Sequence, residues 1–396
     1  MTTTVTASVG FDRPIQFGQF VYDHVLRDSR HDPSGVWSEL LYRLRALDAD
    51  RFLLVTEHSL LHPFGDEVLA RIADAKVAPC APISFPGSEQ AKTLTEIDRL
   101  AGAARRAGAT RASCLILLGG GLVGNVGGLL ATLLYRGVRF VHLPMTLLGM
   151  LDSTPSLKQA VNSEGHKNLL GAFRRPEFVF ADLAYLDTLP PQEIRSGLCE
   201  VIKNVLAICP QLLDEVAGLL NPDASYTRAQ YRRFIELSID AKCEVMADDP
   251  YEEKEGLRCE YGHSAGHAVE ALTHRPAYRY GAVGHGHAVG IGMMVAARAA
   301  RLLGLLDRAD EAAHLDLLRR NGAPVTLPAG IQPRDVLNVV ALDNKLGLLP
   351  AIPGHYLEVV LKRLGQPCYT AGRPLYHVPH QVLDAALRAL TPAAQP

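Results

Sequence analysis

A chain of 396 residues, 48% hydrophobic and 21% charged, is long enough for two domains with ordinary cores. Its net charge of −2, with no block of like charge, disfavours nucleic acid or an anionic membrane as a partner and leaves small molecules. Seven scattered cysteines without a C-x-x-C, no early apolar signal segment and no apolar span of about 18 residues predict reduced thiols in a soluble, cytoplasmic protein.

The chain opens on a partly β-like stretch, Val5–Phe20. Phe52–Thr56 reads as a buried strand and Glu67–Ala75 as a helix. A second apolar run at Val77–Ile83, a helix over Thr93–Ala107 and a third strand at Cys114–Leu118 continue the alternation, which predicts a parallel sheet. The third strand runs into GGGLVGNVGG, Gly119–Gly128. Glycines after a strand let the backbone approach a pyrophosphate, and the next helix, Val126–Tyr135, would present its N-terminus to that anion. The spacing is not G-x-G-x-x-G, so on this feature alone a simple tight turn is an equal alternative. Glu57 follows the first strand and is placed to hold a ribose hydroxyl, while Glu89 and Lys92 follow the second. All three belong to the carboxyl edge, where open α/β sheets bind ligands. Arg139–Pro144 is a fourth strand.

From Pro190 the alternation stops, and Pro191–Ala207, Arg228–Ala247 and Val289–Leu305 read as long amphipathic helices. The expected architecture is therefore a Rossmann-like α/β domain over residues 1–188, followed by an all-α domain over residues 189–396. In the first of these helices Glu200 and Lys203 stand three apart on one face, a spacing that a surface ion pair would also produce. Five of the fifteen histidines fall in the first 29 residues of Cys259–Met293. His263 and His267, four apart, project from one helical face. His285 and His287 sit in a glycine-rich turn ahead of the apolar run Ala288–Ala300. Taken singly, each would be an ordinary surface or core histidine. Clustered, they point to an ion of the zinc type, for which a carboxylate is the missing ligand.

The order of motifs adds a resemblance. GGG-x-x-G-N, Y-R-G, D-S-x-x-S-L-K-Q-A-V-N, G-x-K-N-L-x-G, L-x-T-L-P, S-G-x-x-E-x-x-K and G-H-x-x-G-H, spread from about residue 50 to about 365, resemble the sugar phosphate cyclases, the superfamily of 3-dehydroquinate synthase. SLKQAVN is similar to the branch that forms 2-deoxy-scyllo-inosose for aminoglycoside antibiotics. The resemblance implies a divalent ion, zinc or cobalt, on Glu200, His263 and His285, with His287 the alternative to His285. It implies NAD on Glu57, Glu89, Lys92, Gly120, Gly121, Asn125, Thr146, Lys167 and Thr188. Lys158 and His267 would move protons, Glu260 would transfer a proton at the uncharged end of the sugar, and Arg136, Lys203, Lys242 and Lys345, with Asn168, would gather around a phosphate. Glu260 replaces the Asn of the dehydroquinate branch, and Gly256 stands where that branch carries an arginine for the substrate carboxylate, with Arg258 two positions off. The implied activity is the NAD- and metal-dependent carbocyclisation of D-glucose 6-phosphate with loss of phosphate, in a homodimer. Rival readings are another cyclase of the superfamily, a metal-dependent polyol dehydrogenase, or a non-catalytic NAD-binding subunit.

Overall fold

Strands without a polar face need cover on both sides, and the apolar runs of the first half receive it from helices. The computed structural model describes residues 9–164 and 166–392, so Val5–Ser8 of the expected β-like start lie outside the described residues. The remainder of that start is a hairpin, β1 (Phe11–Phe17) and β2 (Phe20–Arg27). Then follow α1 (Pro33–Ala46), β3 (Phe52–Glu57), α2 (Asp66–Asp74), β4 (Cys80–Phe85), α3 (Leu94–Arg106), β5 (Cys114–Gly119), α4 (Gly121–Leu133) and β6 (Arg139–Pro144). A second hairpin, β7 (Lys158–Ser163) and β8 (His166–Phe173), precedes β9 (Phe178–Asp182). Seven strands form one sheet in the order β1-β2-β9-β6-β5-β3-β4, parallel except for the β1–β2 edge.

Alternation along β3 divides the core into two layers. Leu53 and Val55 pack with Ile97 and Leu100 of α3 and Val126 and Leu130 of α4. Phe52 and Leu54 pack on the other face with Leu40 and Leu44 of α1 and Val68 and Ile72 of α2. Two boundaries differ from expectation. The strand expected over Val77–Ile83 begins at Cys80, because a turn with Lys76 at φ 52° uses the preceding residues. The helix expected over Val126–Tyr135 begins at Gly121: its glycines are not loop, but permit close packing on the sheet, since a Cβ on Gly127 would stand 2.4 Å from Leu117 Cδ2.

The chain divides into two compact units that part at Leu189 and Pro190, with Thr227–Glu236 counted in the first and Lys167 in the second. The C-terminal part is helical: α5 (Pro191–Ala207), α6 (Leu213–Leu219), α7 (Arg228–Met246), α8 (His263–Thr273), α9 (His285–Leu302), α10 (Arg308–Arg320), α11 (Pro333–Val340) and, after the last strand, α12 (His380–Ala389). It also carries two short antiparallel pairs absent from the all-α expectation, β10 (His355–Glu358) with β13 (Tyr376–Pro379) and β11 (Leu361–Arg363) with β12 (Gln366–Pro367). Helix α9 is apolar on most sides and lies against α5, α8, α10 and α12. Two glycines make that possible. A Cβ on Gly286 would stand 1.8 Å from the Ser196 carbonyl of α5, and one on Gly292 would stand 1.8 Å from the Gly262 carbonyl, which caps α8. Among the described residues no helix is long and apolar enough to cross a membrane.

Candidate active site

In the first unit the sheet order sets the place for a nucleotide. From β3 the chain goes outward to β4 and then returns to the other side of β3 as β5, so the strand order reverses between the carboxyl ends of β3 and β5. Glu57 ends β3, and burial raises its carboxyl pKa. Gly87 leaves room for that carboxylate, since a Cβ there would stand 2.1 Å from Glu57 Oε2. Gly120 is the N-cap of α4 and no side chain caps the helix, which leaves its first amides for an anion. Thr146 flanks Gly120, 3.2 Å from where its Cβ would be, and accepts from the Gly149 amide at 2.9 Å.

The same unit contains a polar stitch. Asn162 donates to Glu89 Oε1 at 2.8 Å and accepts from the Asn168 amide at 2.9 Å, and the buried Lys92 ammonium donates to Asn168 Oδ1. Asn162 had no role in the sequence reading, although it closes the S-L-K-Q-A-V-N motif that Lys158 helps to open. Asn125 fastens α4 to β7, donating to the Gly121 carbonyl at 3.0 Å and accepting from the Ala160 amide at 3.1 Å. Thr188 donates to the Tyr185 carbonyl at 2.7 Å. Arg136 is not part of this group. It follows α4, which runs back from the carboxyl edge toward the start of β6, so it lies exposed at the amino edge.

In the second unit α5, α8 and α9 bring Glu200, His263, His267 and His285 together. The three imidazoles form a triangle with ligand atoms within 4.8 Å of one another. Glu200, fully buried, turns Oε1 toward His285 Nε2 at 3.4 Å and His263 Nε2 at 3.8 Å, while Oε2 lies 2.6 Å from Lys203 Nζ. Burial would raise the Glu200 pKa, but Lys203 and the two imidazoles hold it well below the usual range. His263 Nδ1 faces the Tyr261 carbonyl at 3.2 Å, and a carbonyl can only accept, so the ring proton is on Nδ1 and Nε2 keeps its lone pair. His285 Nδ1 donates in the same way to Glu270 Oε2 at 3.0 Å. Burial opposes a charge on His285, yet Glu270 and Glu200 outweigh it and push its pKa up to about 10. Two nitrogen atoms and a carboxylate oxygen converging on one point fit a divalent cation.

His285 is the first residue of α9 and not part of a turn before it, and His287 is outside the triangle, beside Arg195. The lysines depart from expectation as well. Lys167, assigned by resemblance to the cofactor, is ion-paired with Glu270 of α8. Lys345 is fully buried, 3.0 Å from Asp343 and 3.4 Å from Glu260. With Lys203 on Glu200, three of the expected phosphate or cofactor lysines already have carboxylate partners, so mutual repulsion among bare ammonium groups does not by itself require an anion there. Lys242 is buried on α7. Glu270 went unnoticed in sequence, although H-x-x-x-H-x-x-E puts it on the same helical stripe as His263 and His267. Gly256 donates its amide to Asp249 Oδ2 at 2.8 Å, and a Cβ there would stand 2.9 Å from that oxygen. Arg258 donates to the carbonyls of Ala207, Ile208 and Gly365.

Comparison with known proteins gives concordant results. The family model for the 3-dehydroquinate synthase N-terminal domain matches residues 82–196, and that for the C-terminal domain matches residues 197–346. A 2-deoxy-scyllo-inosose synthase of Streptoalloteichus tenebrarius is 42% identical over 360 residues, covering 91% of this chain and 92% of its own. A crystal structure of 2-deoxy-scyllo-inosose synthase complexed with carbaglucose-6-phosphate, NAD+ and Co2+ matches with a TM-score of 0.86 at 30% identity, over 96% of this chain and 100% of the other. A 2-epi-5-epi-valiolone synthase from Streptomyces hygroscopicus with NAD+ and Zn2+ bound shares the fold at a TM-score of 0.73 and 23% identity, over 96% and 99% of the two chains.

Proposed function

We propose that this chain, which belongs to the 3-dehydroquinate synthase family and within it to the 2-deoxy-scyllo-inosose synthases, converts D-glucose 6-phosphate to 2-deoxy-scyllo-inosose and inorganic phosphate in aminoglycoside biosynthesis. The observation that carries the reading is the convergence of His263 Nε2, His285 Nε2 and Glu200 Oε1 on one point. A divalent ion held there supplies Lewis acidity to the sugar oxygens. NAD supplies a hydride acceptor for C4 that gives the hydride back after phosphate has left C6, so that the overall reaction is redox-neutral. Zinc and cobalt both accept this ligand set.

The remaining work belongs to side chains of the protein. Glu57 accepts from a ribose hydroxyl, and the uncapped N-terminus of α4 at Gly120 and Gly121 binds the pyrophosphate. Glu89 and Lys92, held by Asn162 and Asn168, line the same edge of the sheet. Burial, first, and the neighbouring His263 keep His267 neutral at physiological pH, so its free nitrogen can accept a proton. Lys158 donates one, and Lys242, Lys203 and Lys345 offer positive charge to the phosphate. Substrate choice follows from Gly256, Arg258 and Glu260. Gly256 has no side chain, Arg258 is committed to three carbonyls, and Glu260, a carboxylate beside Lys345, repels a second carboxylate but tolerates a hydroxyl. By family resemblance we take the working form to be a cytoplasmic homodimer.

The test is incubation of purified protein with NAD, cobalt or zinc, and either D-glucose 6-phosphate or the seven-carbon acid phosphate of dehydroquinate synthesis. Phosphate and a carbocyclic ketone should appear together from glucose 6-phosphate, with no accumulation of NADH. Turnover of the acid alone would assign the chain to the dehydroquinate branch, and NADH stoichiometric with product would make it a dehydrogenase.

A further inference from the structure

Glu270 is buried, with a relative exposure of 4%, and takes part in none of the steps above. It is the eighth residue of α8, and it shares a face with His267 and His263, one and two turns back. Its Oε2 accepts from His285 Nδ1 at 3.0 Å, and its Oε1 is ion-paired with Lys167. The arrangement is a chain of three groups, ammonium to carboxylate to imidazole, whose last member presents Nε2 to Glu200.

We propose that Glu270 is the positioning residue of the metal site, fixing the ring orientation and the Nδ1–H tautomer of His285, and that Lys167 acts on the metal through Glu270. The inference rests on the reading of Glu200, His263 and His285 as metal ligands. Three observations argue for it. The ring of His285, on the first residue of α9, is contacted from two other helices, by Glu200 of α5 and Glu270 of α8. A carboxylate is the acceptor that also makes Nε2 a stronger base toward a cation. A buried carboxylate beside an imidazole needs a counter-charge of its own when an ion takes up the imidazole lone pair, and the Lys167 ammonium supplies it without competing for Nε2. Lys167 and Asn168 are adjacent on β8, yet Lys167 pairs with Glu270 while Asn168 accepts from Lys92, so neighbouring residues of one motif serve different groups.

The experiment compares wild type, Glu270→Gln, Lys167→Met and the double variant, each loaded with Co2+. The affinity for cobalt is measured by competition with a chelator, the visible absorption of the bound cobalt is recorded, and NAD affinity is measured separately by calorimetry. Glu270→Gln should weaken cobalt binding about 10- to 100-fold and alter the absorption, with NAD affinity unchanged. Lys167→Met should weaken cobalt binding less and in the same direction. The double variant, which removes both charges and so leaves neither stranded, should bind cobalt no worse than Glu270→Gln alone, because Lys167 acts through the residue already changed. Cobalt affinity within twofold of wild type in Glu270→Gln would overturn the proposal, and unchanged cobalt affinity in Lys167→Met would overturn the part assigned to Lys167. A wild-type protein whose cobalt affinity is indifferent to Glu200→Gln and His263→Ala would overturn the underlying metal reading instead.

Discussion

His285 and His287 leave the same first turn of α9, and the turn separates them. Two residues advance a helix by about 200°, so when one ring faces Glu200 and Glu270 the other faces away. His287 instead has its Nε2 buried without a hydrogen-bond partner among the described residues, and burial, with Arg195 adding to it, lowers its pKa to about 4. That ring lies off the point on which His263, His285 and Glu200 converge. His285→Ala should therefore lose at least about 100-fold in metal affinity, by analogy with other ligand and outer-shell losses, while His287→Ala should keep its metal after dialysis. Metal content of the two purified variants, read by elemental analysis, decides the matter. Retention in His285→Ala with loss in His287→Ala would reverse the assignment.

At the scale of elements, the site depends on how closely three helices approach one another. Glu200, His263 and His285 are on α5, α8 and α9, and the two glycines of α9 allow both contacts. A methyl group at Gly292 would require the backbone at Gly262 to move, and Gly262, at φ 78°, is the residue from which His263 projects. Gly292→Ala should cost about 1 to 3 kcal/mol of stability by overpacking and should also weaken cobalt binding. Thermal unfolding with and without cobalt measures both effects, and a variant with wild-type melting in both conditions would contradict the prediction. These glycines also explain where sequence reading succeeded and where it failed. Phe52–Glu57, Cys114–Gly119 and Arg139–Pro144 were legible because an unbroken apolar run has few other uses in an alternating chain. The starts of α4 and α9 were not, because glycine lowers helix propensity and reads as loop until the surface packed against it is known. The short pairs β10–β13 and β11–β12 have two to four residues per strand, too few to show a period.

At the scale of the whole molecule, the chemistry was legible through motifs, whereas its electrostatic balance was not. The motifs name Lys345 and Lys167 as cations but not their distant carboxylate partners: Glu260, 85 positions from Lys345, which adds to the nearby Asp343, and Glu270, which no local pattern links to Lys167. The same is true of the histidines held neutral by the fold. His24 and His142 are buried in the first unit with pKa values lowered to about 4 and about 3, and His314, between Tyr261 and the Asp310 carbonyl, is lowered to about 4. Desolvation is the leading cause in each case. A base whose folded pKa lies below its unfolded value of about 6.5 favours the native state above that value, and the contribution is lost as pH falls toward the folded value. His287 acts in the same sense. Glu358 acts in the opposite sense, since burial raises its pKa to about 8 and the native state then gains as pH falls toward about 4.5, but it is one group against several. His285, raised to about 10 in the ion-free protein, is protonated in both states below about pH 6 and adds nothing there. Chelated protein should therefore lose several kcal/mol of stability between pH 7 and pH 5, on the order of 2 kcal/mol for each buried histidine. Urea midpoints taken across that range with a chelator present measure the effect without the confounding release of metal. A flat midpoint from pH 7 to pH 5 would mean that the buried rings protonate as readily in the fold as in the unfolded chain.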